Sequence, residues 1–173
     1  EVSSMLEISG EVIPVTFDDI RLVAELEDGE VIKGETNIDI PKGDRAAIKK
    51  VWLEPKATAN PRALSAIQTA DTIVIGPGDL YTSIIPNFLV NGSSEAIKRS
   101  KATKLYLCNL MTKHGETDGY GAEDFVKAIE KYILLDVTVF NNKKPNARLL
   151  AKYKATKSEF IAPPMADPKY ILA

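Results

Sequence analysis

The feature that most constrains this chain is an alternation, from Asn60 onward, of short unbroken apolar runs with segments of helical period. Thr72-Ile73-Val74-Ile75, Leu105-Tyr106-Leu107-Cys108 and Asp136 to Phe140 are the runs, with Glu159-Phe160-Ile161 a further short candidate strand. Unbroken apolar strands are the kind that a parallel sheet buries on both faces. Between them, Asn60-Pro61 reads as an N-cap followed by Pro at the first helical position, with Leu64, Ile67 and Ala70 on the buried side. Ser93 to Arg99 and Ala147 to Tyr153 read as short helices. Ala122 to Ile133 is the clearest helix, with Phe125, Val126, Ile129 and Ile133 at helical spacing. Strands separated by helices of this length predict right-handed crossovers and an α/β fold built on a parallel, doubly wound sheet.

The stretch before Asn60 has a different texture. Val12 to Phe17 is rich in β-branched residues. Arg21 to Glu27 and Val31 to Ile38 flank Asp28-Gly29, a strong hairpin signal, and Lys49 to Leu53 is a further run stopped by Pro55. The expectation is a single domain over 1–173, with a small antiparallel β insert over 12–54 and an α/β core over 60–162. Met5-Leu6-Glu7-Ile8 ahead of Gly10 reads as the end of a helix, and Pro163-Pro164 and Pro168 predict an irregular tail.

Charge narrows the partners. The formal net charge is -2 and the pI about 5.6, so no global basic field invites nucleic acid or anionic lipid. The densest basic stretch, Lys143 to Lys157, is interrupted by apolar residues and reads as a solvated helix face. Cys108 is the only cysteine, which rules out an internal disulfide and favours a reducing compartment. No run approaches the roughly 20 apolar residues that a membrane span needs, and Glu1 to Gly10 lacks the pattern of a signal peptide. A cytoplasmic protein bound to neither nucleic acid nor membrane is the expectation.

In an open α/β sheet ligands bind beyond the carboxyl ends of the strands, and three loops qualify. Gly76-Pro77-Gly78-Asp79-Leu80-Tyr81-Thr82-Ser83 follows the first apolar strand. Its glycines admit close backbone approach, and Thr82 and Ser83 would open a helix whose free N–H groups suit a phosphate. A plain strand-to-helix turn accounts for the same residues equally well. The second loop runs from Asn109 through Leu110, Met111, Thr112 and His114 to Gly119, with Asn109 at the strand tip where an amide could read a base or hydroxyl. Glu116 and Asp118 read as carboxylates on a turn open to water; holding a magnesium ion is the rarer use of such a pair. His114 has no evident orienting partner, and Cys108 reads as a small buried residue within its strand. The third loop, Asn141 to Pro145, leads to the helix carrying Tyr153, which reads either as core cover or as a ring brought to the same sheet edge.

Taken together, these loops resemble one family. Ala70 to Asn87, containing Gly76-Pro77-Gly78-Asp79-Leu80-Tyr81-Thr82-Ser83, is similar to the YvcK-type gluconeogenesis factors, of the superfamily that also holds 2-phospho-L-lactate transferase. Asn109-Leu110-Met111-Thr112 followed by Gly115-Glu116-Thr117-Asp118-Gly119-Tyr120 is similar to the same family at the expected distance, and Glu25 to Gly29 with Gly34-Glu35 fits as well. The resemblance implies a Rossmann-like sheet, a cytoplasmic location and binding of a UDP-sugar, notably UDP-N-acetylglucosamine. It also implies a link to carbon metabolism, cell-wall precursor synthesis and cell shape. Carried over by position, Gly76 to Ser83 is the phosphate-facing loop, Asn109, Met111 and Thr112 are its neighbours across the sheet edge, and Tyr153 is a UDP-sugar contact. The chain lacks the family's glycine-rich start and its Arg-His near the end, and has Asp79 in place of a serine. This implies a segment that begins inside the family's pattern.

Three readings follow. The first is a UDP-sugar-binding regulatory protein with no catalytic residue, no dedicated metal site, and magnesium only as an ion accompanying the ligand. The second is a transferase that moves a phospholactyl group from a nucleotide carrier to a deazaflavin alcohol. The third is a module that keeps the fold and binds nothing tightly. Association into homo-oligomers is compatible with all three.

Overall fold

The computed structural model describes residues 10–173, so the helix end expected at Met5 to Ile8 lies outside the described residues. The described residues form two sheets. The first is antiparallel and contains β1 (Arg21–Leu26), β2 (Val31–Lys33) and β3 (Ile48–Glu54) in the order β2-β1-β3. Its hairpin closes as expected at Asp28-Gly29, with Gly29 at φ 92° and its N–H donating to the Leu26 carbonyl.

Two expectations for this region fail, each for a visible reason. The strand expected over Val31 to Ile38 ends at Lys33, because Gly34 turns at φ 92° into the short helix α1 (Glu35–Asp39). Asn37 Nδ2 donates to the Lys33 carbonyl across that turn. Val12 to Phe17 forms no strand. Pro14 has no N–H for a ladder. The Pro14 and Val15 carbonyls instead accept from Asn60, and the Thr16 hydroxyl donates to the Thr58 carbonyl. This segment lies against the start of the next helix rather than in a sheet.

That helix, α2 (Pro61–Thr69), is capped by Asn60, whose side-chain oxygen accepts from the Arg62 N–H at 3.0 Å. The chain continues through β4 (Thr72–Ile75), a π-helical turn (Leu80–Ile84), α3 (Ile85–Leu89), α4 (Ser93–Arg99), β5 (Thr103–Leu107), α5 (Ala122–Glu130), β6 (Val137–Phe140), α6 (Ala147–Ala155) and β7 (Tyr170–Leu172). Strands β4 to β7 form a four-stranded sheet in sequential order with every pair parallel, giving the α/β architecture with its small antiparallel insert. The last strand is not where the sequence pointed. Phe160 makes only an isolated antiparallel bridge to Met111, whereas Tyr170–Leu172, in the tail expected to be irregular, pairs with β6. The Tyr170 ring packs edge-on against Phe140 with centroids 5.0 Å apart, which anchors this short strand.

The register sorts the sheet's two faces. Ile75, Tyr106 and Thr138 occupy one row and are buried, in a core that includes Phe125, Val126 and Ile129 of α5 and Phe140 of β6. The other face is less covered. Val74 is 56% exposed, so β4 is not buried on both faces as its unbroken apolar run predicted. It is an edge strand among the described residues, and its outer face lacks a packed layer. Among the described residues no helix is long and apolar enough to cross a membrane.

Candidate functional site

The loop Gly76 to Ser83 leaves the carboxyl end of β4. Gly76 sits at φ 66°, and a Cβ there would stand 3.2 Å from Ile84 Cδ1 and 3.3 Å from the Leu107 carbonyl. Glycine is therefore demanded both by the left-handed backbone and by its close pass over β5. Gly78 is under no such constraint: its nearest would-be neighbour is Ile84 Cγ1 at 3.4 Å. The Gly78 carbonyl accepts from Asn109 Nδ2 at 2.9 Å, which ties this loop to the tip of β5. That bond fixes the amide's orientation and leaves Asn109 Oδ1 buried without a partner. Gly76, Pro77, Gly78 and Ser83 line an open groove of about 540 Å³ beside β4.

The backbone donors of this loop are disposed differently from the expectation. The Ser83 and Ile84 N–H groups donate to the Asp79 carbonyl at 2.9 and 3.0 Å, closing the π-helical turn, so Ser83 offers no free amide to a phosphate. The Tyr81 N–H donates to Glu116 Oε2 at 2.8 Å, and the Thr82 hydroxyl donates to Glu116 Oε1 at 2.8 Å. An internal carboxylate thus takes the place at the turn's positive end that an anion would otherwise fill. Leu80, Tyr81 and Thr82 are buried, and the Tyr81 hydroxyl lies 2.7 Å from that of Tyr120. Burial raises the Tyr81 pKa, with the Tyr120 hydrogen bond acting in the same direction.

Glu116 was expected on a turn open to water, yet it is only 2% exposed. Burial pushes its pKa up, against the opposing pull of Thr82 and the Tyr81 amide. One carboxylate oxygen from each of Asp39, Asp79 and Glu116 falls within 4.8 Å of the other two. Three hard oxygen donors are chemically suited to a magnesium or calcium ion. A cation is already present, since Lys113 Nζ lies 2.7 Å from Asp39 and 3.2 Å from Asp79. Burial lowers the Lys113 pKa, but its bonds to Asp39 and Asp79 prevail and raise it overall.

Asp118 does not join this cluster. It accepts from the Gly115 N–H at 2.6 Å and pairs with His114 Nδ1 at 3.0 Å. His114 therefore does have an orienting carboxylate, contrary to the sequence expectation, and its Nε2 lies 3.7 Å from Asp44. Arg45 holds the whole loop. Its guanidinium donates to the carbonyls of Gly115, Asn37 and Ile38, so one side chain fastens the antiparallel lobe to the loop after β5. Asp39 and Arg45 were missed by the sequence reading. They reach this loop from α1 and the segment after it, and only the tertiary fold brings them there.

The remaining candidates lie elsewhere. Met111 bridges to Phe160, and Thr112 is buried with its hydroxyl accepting the Glu159 N–H at 2.8 Å. Thr112, His114, Asp118, Arg45, Lys154 and Lys157 line a polar hollow of about 480 Å³, distinct from the groove at Gly76. Tyr153 is 39% exposed on α6, a helix with no buried residue, so it is not core cover. Burial pushes the Cys108 thiol up to about 11, which keeps it protonated and unreactive at neutral pH.

With this geometry in hand, the chain's similarity to known proteins can be placed. The profile of the family described as 2-phospho-L-lactate transferase CofD matches residues 1–169. A putative gluconeogenesis factor of Thermotoga maritima is 49% identical over 91% of the chain and 50% of its own length. A gluconeogenesis factor of Bacillus subtilis is 39% identical over 89% of the chain and 49% of its own. The chain thus spans about half the length of the curated relatives it matches. A crystal structure of a UPF0052 family member from Bacillus halodurans superposes with a TM-score of 0.86 at 41% identity, covering 93% of this chain and 52% of that one. The motif-bearing loops and the parallel sheet that carries them are those of a known group, and the chain belongs to the CofD family, with the gluconeogenesis factors as its relatives.

Proposed function

We propose that the protein to which this chain belongs is a cytoplasmic regulator that binds a UDP-sugar, UDP-N-acetylglucosamine in particular. In this reading it serves carbon metabolism, cell-wall precursor synthesis and cell shape. The observation that carries the reading is the bond between Asn109 Nδ2 and the Gly78 carbonyl, which ties the tip of β5 to a strand-end loop that lines the groove. The diphosphate lies along Gly76 to Gly78, where the glycines on either side of Pro77 present backbone to the groove. Asn109 holds the Gly78 carbonyl and so fixes the loop along which the diphosphate lies. Because Asp39, Asp79 and Glu116 make this end of the sheet acidic, the diphosphate arrives with magnesium, which offsets the repulsion. Calorimetric titration of UDP-N-acetylglucosamine into a relative-length protein carrying these residues, with and without magnesium, tests the reading. Saturable binding that weakens when magnesium is removed supports it, and no binding in either condition overturns it.

The carboxylate cluster favours one second reading, a phospholactyl transferase. Assay with lactyl-phospho-guanosine, a deazaflavin alcohol and magnesium distinguishes the two. Turnover that is lost in Asp79→Asn establishes the transferase, and its absence alongside UDP-sugar binding establishes the regulator.

A further inference from the structure

Between β2 and β3 the antiparallel lobe is joined to the loop after β5 at closely fitted points. Arg45 Nε and Nη2 donate to the Gly115 carbonyl at 3.1 and 2.7 Å. The same guanidinium donates to the Asn37 carbonyl at 3.2 Å and to that of Ile38. One planar fork thus spans both parts of the fold, which a lysine ammonium cannot do. The approach at Gly115 leaves no room for a side chain, because a Cβ there would stand 2.6 Å from Pro41 Cγ, and its backbone sits at φ 85°. The next residue, Glu116, is buried and gives its two oxygens to the Tyr81 N–H and the Thr82 hydroxyl. A second tie runs alongside. Lys113 Nζ bridges Asp39 and Asp79, and the Asp79 carbonyl accepts from the Ser83 and Ile84 N–H groups. Helix α1 also lies against this π-helical turn.

We propose that Arg45 is a positioning residue for the ligand loop, acting through Gly115 and Glu116 on the turn that carries Tyr81 and Thr82. The antiparallel lobe thereby tunes affinity along Gly76 to Gly78 from outside the groove, since Arg45 lines no part of it. Among the described residues Arg45 donates to no atom of the turn, so its influence there has to pass through the loop after β5. That loop is suited to carry it, because Gly115 and Glu116 are adjacent and each is held on the side that the other does not touch. The effect on affinity rests on the UDP-sugar reading above, whereas the mechanical coupling does not.

The test measures UDP-N-acetylglucosamine affinity by calorimetry and amide hydrogen exchange in a relative-length protein carrying these residues. The native protein is compared with Arg45→Lys, Glu116→Ala and the double variant. Arg45→Lys is expected to weaken binding by at least about threefold. It should also speed exchange of the Tyr81 amide at least about fivefold more than that of the β5 amides, which report global stability. In the Glu116→Ala background Arg45→Lys should add nothing further to either readout, because its route is already cut. Equal acceleration at Tyr81 and β5 overturns the inference, as do effects that add in the double variant. So does unchanged affinity of Arg45→Lys when the native protein binds. A native protein that binds no UDP-sugar sinks the ligand reading instead, and the ratio of Tyr81 to β5 exchange then decides the coupling by itself. That same ratio in Arg45→Lys decides if Glu116→Ala fails to fold.

Discussion

The Glu116 carboxylate accepts the Thr82 hydroxyl at 2.8 Å, and its second oxygen takes the Tyr81 N–H. The loop after β5 is thereby fastened to the turn after β4. Because both donors are buried, removing the acceptor leaves two polar groups without partners, each costing about 1–3 kcal/mol. Glu116→Ala is expected to destabilise the chain by about 2–4 kcal/mol, and Glu116→Gln, which keeps an acceptor for the amide, by far less. Urea denaturation of the three proteins checks the order.

The same carboxylate makes stability depend on pH in a direction opposite to most acidic groups. Burial raises its folded pKa above the unfolded value, so its protonated form is the one the fold prefers. Its contribution is fully present below the unfolded carboxylate range and is lost as pH rises through the raised folded value. The difference in unfolding free energy between the native chain and Glu116→Gln should therefore shift against the native chain as pH rises from about 4 toward 7. A difference that stays flat across this range contradicts the assignment.

Arg45 offers a separate handle on the loop. Its donors serve three carbonyls in two parts of the fold, and Lys cannot reproduce that fork. Arg45→Lys is expected to cost about 1–3 kcal/mol. It should also speed hydrogen exchange across residues 113–118 more than across β5. Uniform acceleration over both would mean that the contact only supports global stability.

Much of this fold was legible in advance. The β4, β5 and β6 runs, the helix at Ala122 and the Asn60 cap are all local signals, set by apolar patterning and by a side chain two residues from the N–H that donates to it. What escaped is non-local. Val12 to Phe17 carries β-branched residues but gives its carbonyls to Asn60, and Tyr170–Leu172 becomes a strand because β6 and Phe140 are there to receive it. The site shows the same division. Gly76, Gly78 and Asn109 could be placed at strand ends from the sequence, whereas Asp39 and Arg45 stand in a different lobe and carry no local mark. Glu116 looked solvated because a charged residue in a polar loop usually is; its burial depends on Thr82, more than 30 positions away.

Asn60 gives the simplest check on the packing of the amino-terminal segment. Its side chain caps α2 through the Arg62 N–H and also donates to the Pro14 carbonyl. Loss of a cap alone costs about 1 kcal/mol. Asn60→Ala should exceed that figure, and Asn60→Asp, which retains the cap but cannot donate to Pro14, should fall between Ala and the native residue. A fluorescence-monitored thermal melt distinguishes the three.

The most direct test of the proposed ligand site is Gly78→Val, measured by calorimetry with UDP-N-acetylglucosamine in a relative-length protein. A Cβ at Gly78 meets Ile84 and Ser83 at ordinary contact distance, and the position has no left-handed backbone to protect. The fold should survive with its melting temperature nearly unchanged, while the branched side chain blocks backbone approach. The predicted result is a loss of affinity of at least about tenfold, equivalent to about 1.4 kcal/mol. Unchanged affinity in a folded Gly78→Val protein would contradict the claim that the diphosphate lies along Gly76 to Gly78.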